Sequence, residues 1–99
     1  MIYKIRYAPQ AIEDLKQLRE DIFEVSKSLD TTGKYLTELF DAVEKKRLFP
    51  QSGIRLMYND LFTGFYFVHF KAYNAFYRVM EDRIEVVRIL SSKSDYMRT

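Results

Sequence analysis

The chain has 99 residues, 47% apolar and 30% charged, which suits one soluble two-layer domain spanning residues 1–99. Its 16 Lys and Arg against 14 Asp and Glu leave a net charge of +2, too small for the basic excess of a dedicated nucleic-acid binder. No cysteine and a single histidine exclude disulfides, thiol catalysis and multi-histidine metal sites, and no apolar run approaches the ~20 residues of a membrane helix. No secretory h-region follows Met1, so a cytoplasmic domain without cofactor or metal is expected.

Ile2 to Tyr7 is rich in β-branched and aromatic residues and reads as a strand. Pro9 suits a helix start. Ile12, Leu15, Leu18, Ile22 and Val25 then recur at spacings of three and four, marking one apolar helical face. Glu13 and Asp14 stand near its start, where acids complement the dipole. Ser26 to Gly33 reads as a break, with Asp30 or Thr32 capping a second helix over about Lys34 to Phe49. Its stripe is Leu36, Leu39, Phe40, Val43 and Arg47, closed by Leu48 and Phe49, and Pro50 and Gly53 end it. Lys45-Lys46-Arg47 is a solvated helix end or a nucleic-acid contact.

After Gly53 the period changes. Ile54 to Tyr58, Phe65 to Phe70, Asn74 to Met80 and Arg83 to Leu90 read as strands, the last three joined as an antiparallel meander. The order β-α-α-β-β-β-β predicts an α+β fold: a helical hairpin packed on one face of a twisted antiparallel sheet.

These residues, in this order, resemble the ParE branch of the RelE/ParE toxins of type II toxin–antitoxin and plasmid stabilisation systems. Tyr3 to Tyr7 is similar to that family's opening strand, and Ala11 to Leu15 to its A-x-x-D-L helix start. Tyr35 to Phe40 resembles the Y-x-x-x-L part of the second helix, Phe49-Pro50 and Gly53 resemble F-P-x-x-G, and Gly64 resembles the glycine opening a central strand. The most specific block is Phe76-Tyr77-Arg78-Val79 followed by I-E-V-V-R-I-L over Ile84 to Leu90. Two positions depart from the pattern: Ser91 stands where a histidine is frequent, and Tyr66 where many members carry a basic residue. Lys93 and Asp95 resemble the end of the terminal motif. The resemblance implies a growth-arresting toxin silenced in a hetero-oligomer by a cognate antitoxin. It implies DNA gyrase as target in the ParE branch, and ribosome-dependent mRNA cleavage in the RelE branch.

The residues themselves favour binding over chemistry. RelE-type basic strand positions fall on Phe65, Phe67 and Asn74, which removes cationic phosphate clamps. Arg78, Arg88, Lys93 and Tyr96 remain as the catalytic set of the mRNA-cleaving alternative. His69, in a dense strand, reads as a structural histidine. Arg78 and Arg88 lie inside strands, where an unpaired buried charge is costly. They either pair on the open sheet face, with Glu85 or Asp82, or form an anionic contact site. Arg55, Tyr66, Tyr73, Arg78, Arg88, Lys93, Tyr96 and Arg98 are the candidate partner-binding residues. The aromatics from Tyr58 to Tyr77 exceed what one covered face needs, so an apolar patch is expected on the other face. A toxin-derived fold that only binds protein is a third reading.

Overall fold

The computed structural model describes residues 2–93. The chain runs β1 (Lys4–Tyr7), α1 (Pro9–Ser26), α2 (Leu29–Glu44), two short 3-10 turns, then β2 (Ile54–Tyr58), β3 (Leu61–Phe70), β4 (Tyr73–Val79) and β5 (Arg83–Ser91). The five strands form one sheet in the order β1-β5-β4-β3-β2. From β2 to β5 every neighbour is antiparallel. The expectation of a wholly antiparallel sheet fails at β1, which pairs parallel to β5. The helical hairpin and three strands intervene, so the chain returns to β1 in the same direction.

Pro9 opens α1 at a position where its missing N–H costs nothing. The face that α1 buries is centred on Ala11 and Leu18, with Leu15 and Ile22 packed beside them. Ile12 lies on the flank and is exposed, and Val25, in the last turn at the hairpin tip, is 86% exposed. The predicted stripe was therefore too long and rotated by part of a turn. Glu13 and Asp14 stand beyond the first turn, where the dipole is weak. Asp14 has a different partner, described below.

The start of α2 is the larger correction. The helix begins at Leu29, capped by Ser28, whose Oγ accepts the Thr31 amide at 3.1 Å. Asp30 and Thr32, expected as caps, are inside it, as is Gly33. Thr32 is buried, and its hydroxyl donates to the Ser28 carbonyl at 2.8 Å. A turn-like composition hid a helical first turn whose polar side chains are satisfied locally. At the other end α2 stops at Glu44, and Leu48 and Phe49 are exposed instead of closing the stripe. Of the basic run, Arg47 is structural: its guanidinium and its carbonyl hold the Tyr3 carbonyl and amide at 2.8 and 2.9 Å. That clamp seats the chain entering β1.

Two tight turns set the strand register. Asn59 and Asp60 both take positive φ, 49° and 65°, between Tyr58 and its partner Leu61. That is the geometry of the type I′ hairpin turn, which Asn and Asp tolerate. It extends β3 back to Leu61 and joins β2 to the meander. Gly64, at φ 90°, supplies a backbone conformation that other residues rarely adopt.

The core lies between the hairpin and one sheet face: Leu18, Leu39 and Val43 against Val68, Ala75, Tyr77, Ile84, Val86 and Ile89. Tyr77 is its largest fully buried side chain. Its hydroxyl donates to the Pro50 carbonyl at 2.6 Å, tying the loop before β2 to the sheet. Burial, foremost, pushes this phenol up to about 12, against an opposing hydrogen bond at the Gly53 backbone. Gly53 is the glycine that this approach requires, because a Cβ there would overlap the Tyr77 hydroxyl.

Tyr77→Phe is expected to cost about 1–2 kcal/mol, since it leaves the Pro50 carbonyl without its donor. Gly53→Ala is expected to cost about 1–3 kcal/mol through the clash. Denaturation of the two single variants and the double variant checks this. The double variant should be less destabilised than the sum, because removing the hydroxyl relieves part of the overlap.

Candidate protein-binding face

Alternation along the strands separates two faces. Tyr66, Val68, Phe70, Tyr73, Ala75, Tyr77, Ile84 and Val86 point toward the helices. The intervening residues point to the other face, over which no helix packs among the described residues. Its centre is aromatic. Phe65, Phe67 and Phe76 stand on adjacent strands, with Phe67 and Phe76 at 5.4 Å between ring centroids. Phe76 is only 4% exposed, although it lies on the open side, because its neighbours crowd it. Leu56, Phe65, Phe76, Val87, Arg88 and Leu90 border a shallow depression of about 250 Å³. Its shape owes something to a bulge in β5, where Phe76 faces Arg88 and Tyr77 faces Val86, leaving Val87 as the extra residue.

Charge rings this centre. Arg6, Glu85 and Arg78 are register neighbours across β1, β5 and β4. The Glu85 carboxylate accepts from Arg6 Nη1 at 2.6 Å and from Arg78 Nε and Nη2 at 2.9 and 2.7 Å. Hydrogen bonding by Arg78 is the main cause that holds the Glu85 carboxyl below its usual value, with the charges of both arginines adding to it against burial.

Arg88 leans around the sheet edge to Asp14 of α1, with Nε–Oδ2 at 2.8 Å. The same Oδ2 accepts the Ile89 amide at 2.9 Å. β1 ends opposite Val86, so beyond that point the edge of β5 has no strand partner on that side among the described residues. Asp14 satisfies an amide there that would otherwise lack an acceptor. Burial raises the Asp14 carboxyl, but the bonds from Arg88, Ile89 and Gln10 outweigh burial and bring it below its usual value.

The sequence candidates divide between the faces. Arg78 and Arg88 are on the open face, both paired, Arg78 with Glu85 and Arg88 with Asp14 in place of the Glu85 or Asp82 foreseen. Tyr66 and Arg55 are on the helix side at the β2–β3 edge. There Arg55 lies 4.2 Å over the Phe62 ring, Phe62 packs on Tyr66, and Tyr66 stacks on Tyr77. Tyr73 is half-buried beneath α2, 6.3 Å from Tyr35, and burial is the first cause raising its phenol. Lys93 is exposed just after β5, its amide donating to Ser91 Oγ. Tyr96 and Arg98 lie outside the described residues. His69 is on the open face, with Nδ1 2.8 Å from Asn74 Oδ1, a structural pairing.

Arg6, Leu56 and Asp14 belong to this face or its rim and were missed. Strict alternation with Ile5 and Tyr7 marked Arg6 as outward-facing. Nothing local marked Asp14, whose partners stand in the last strand.

A helical hairpin packed on one side of a five-stranded sheet is a fold shared with chains from toxin–antitoxin systems. The family model for the ParE toxin of the type II toxin–antitoxin system parDE matches residues 5–96, and the chain belongs to that family. In fold it is similar to a chain of the chromosomal ParDE system of P. aeruginosa, with a TM-score of 0.73 at 16% identity over 91% of this chain and 96% of that one. It is also similar to a chain of the RelBE2 toxin–antitoxin complex of Mycobacterium tuberculosis, with a TM-score of 0.63 at 16% identity over 95% of each chain. The E. coli DinJ–YafQ complex supplies a third likeness, at 0.56 and 13% identity over 97% of this chain and 99% of that one. Among curated protein sequences no relative reaches significance. No helix is long and apolar enough to cross a membrane among the described residues.

Both Glu85 and Asp14 have folded-state values below their unfolded ones. Their stabilisation is therefore present above the usual carboxylate range, about pH 4, and is lost as pH falls through the lowered values. Thermal melts of Glu85→Gln against the parent check this. The variant should melt lower at pH 7, and the gap should close as the pH is taken below about 4.

Proposed function

We propose that this toxin acts by binding and performs no chemistry of its own. Its target is DNA gyrase, and a cognate antitoxin silences it by covering the open sheet face in a hetero-oligomer. The observation that carries this reading is the content of that face. Its centre is Phe65, Phe67 and Phe76, and the arginines around it are engaged by Glu85 and Asp14.

A phosphate-cleaving site needs cations clustered where charge develops and a group poised to move a proton, whereas the centre of this face is built of rings. The positions that resemblance to the RelE branch assigns to strand cations hold Phe65, Phe67 and Asn74 here. An apolar centre with a charged rim suits a protein interface, whose core is depleted of charge. The P. aeruginosa ParDE, M. tuberculosis RelBE2 and E. coli DinJ–YafQ chains come from toxin–antitoxin systems or complexes, which supports an antitoxin as the natural cover.

Supercoiling of relaxed plasmid by purified gyrase is the test. Added toxin should abolish supercoiling, and the antitoxin encoded beside it should restore it. Normal supercoiling at saturating toxin would remove gyrase as target. Cleavage of mRNA on translating ribosomes, lost in Arg78→Ala, would replace binding with the RelE-type reaction.

A further inference from the structure

We infer that the open-face depression is a socket for one apolar side chain of an acidic peptide segment, an inference resting on the proposal that a protein partner covers this face. Size limits the occupant. At about 250 Å³ the depression is smaller than the roughly 300–1,000 Å³ of small-molecule sites, and it suits a single Leu- or Phe-sized anchor. Its walls are apolar except for Arg88 at the rim, so a polar metabolite would find little there to orient it.

Charge complementarity fixes the character of the flanks. The strands bring Lys4, Arg6, Arg78, Arg83 and Arg88 to this face against one strand carboxylate, Glu85. Asp14 reaches the rim from α1. The side chains of Arg6, Arg78 and Arg88 remain 56%, 49% and 44% exposed while paired. Each guanidinium has five N–H donors, and the intramolecular bonds use only some of them. Incoming carboxylates therefore meet free donors without breaking the Glu85 or Asp14 pairs.

Nucleic acid fits this surface less well. Stacking needs open ring faces, and Phe76 is nearly buried and packed on Phe67. The rings make a wall and floor for an inserted side chain in place of a platform for bases.

The probe is a capped synthetic peptide, Ala-Asp-Glu-Leu-Asp-Glu-Ala, titrated into the full chain and followed by amide chemical shifts. Shifts should cluster at Leu56, Phe65 and Leu90, and binding should weaken as salt is raised. Replacing the peptide's Leu by Ser, or its acids by Lys, should weaken binding about tenfold or more. Leu56→Asp should do the same. Arg78→Gln, which leaves Glu85 paired with Arg6, should flatten the salt dependence and serves if Leu56→Asp does not fold.

Equal binding of the Lys-flanked peptide, or shifts on this face with oligouridylate and none with the acidic peptide, would overturn the inference. Antitoxin binding that is unchanged in folded Leu56→Asp, with no peptide shifts, would also overturn the socket while leaving the partner reading intact. Acidic-peptide binding as described, with an antitoxin that fails to bind, would support the socket and remove the partner reading.

Discussion

A sheet has two faces, and each apolar face must be covered by something other than water. Among the described residues five strands meet one helical hairpin, which covers one side of the sheet. Much else follows from that imbalance. Tyr77, Ile84 and Val86 are sealed beneath the helices, whereas Phe65, Phe67 and Leu56 can shield one another only in part. The aromatic content that exceeds the needs of the covered side collects on the bare side. There it is compacted by ring packing and rimmed by arginine and glutamate.

The covered and bare faces are not independent. Asp14 reaches from α1 to the β5 edge where β1 ends, accepts the Ile89 amide and holds Arg88 at the mouth of the depression. The helix that closes the core thus also sets the position of a cation on the opposite side. Glu85 has a similar double role. It relieves repulsion between Arg6 and Arg78, and it keeps both guanidinium groups in place on the sheet. Paired in this way, the arginines are fixed before any partner arrives. Binding a partner then costs less side-chain freedom than it would if the arginines were mobile.

The fold was legible in the sequence where the signal was periodic or local. The apolar spacing through Leu15, Leu18 and Ile22 gave α1, and the aromatic and β-branched runs from Phe65 to Tyr77 gave the central strands. The F-Y-R-V block and I-E-V-V-R-I-L gave the family. Legibility failed where a local pattern had two meanings. Ser28 to Gly33 has turn composition, yet Ser28 is a cap and Thr32 is bonded back to it. Long-range facts left no trace: the parallel pairing of β1, the Arg47 clamp on Tyr3 and the reach of Asp14 to Arg88 all join residues far apart in sequence. For the site, alternation was enough to expect a bare apolar face. It was not enough to separate Arg78 and Arg88 from Tyr66 and Tyr73, because that required knowing which side the helices cover.

Solvent accessibility of the aromatic centre, measured on the toxin alone and with its antitoxin bound, tests this account most directly. A soluble paramagnetic probe should broaden the Phe65, Phe67 and Leu90 signals of the free chain while sparing Ile84 and Val86. Antitoxin binding should protect the first group. Signals from Phe65 and Phe67 that are as shielded in the free monomer as those of Ile84, or that stay fully exposed in the complex, would contradict it.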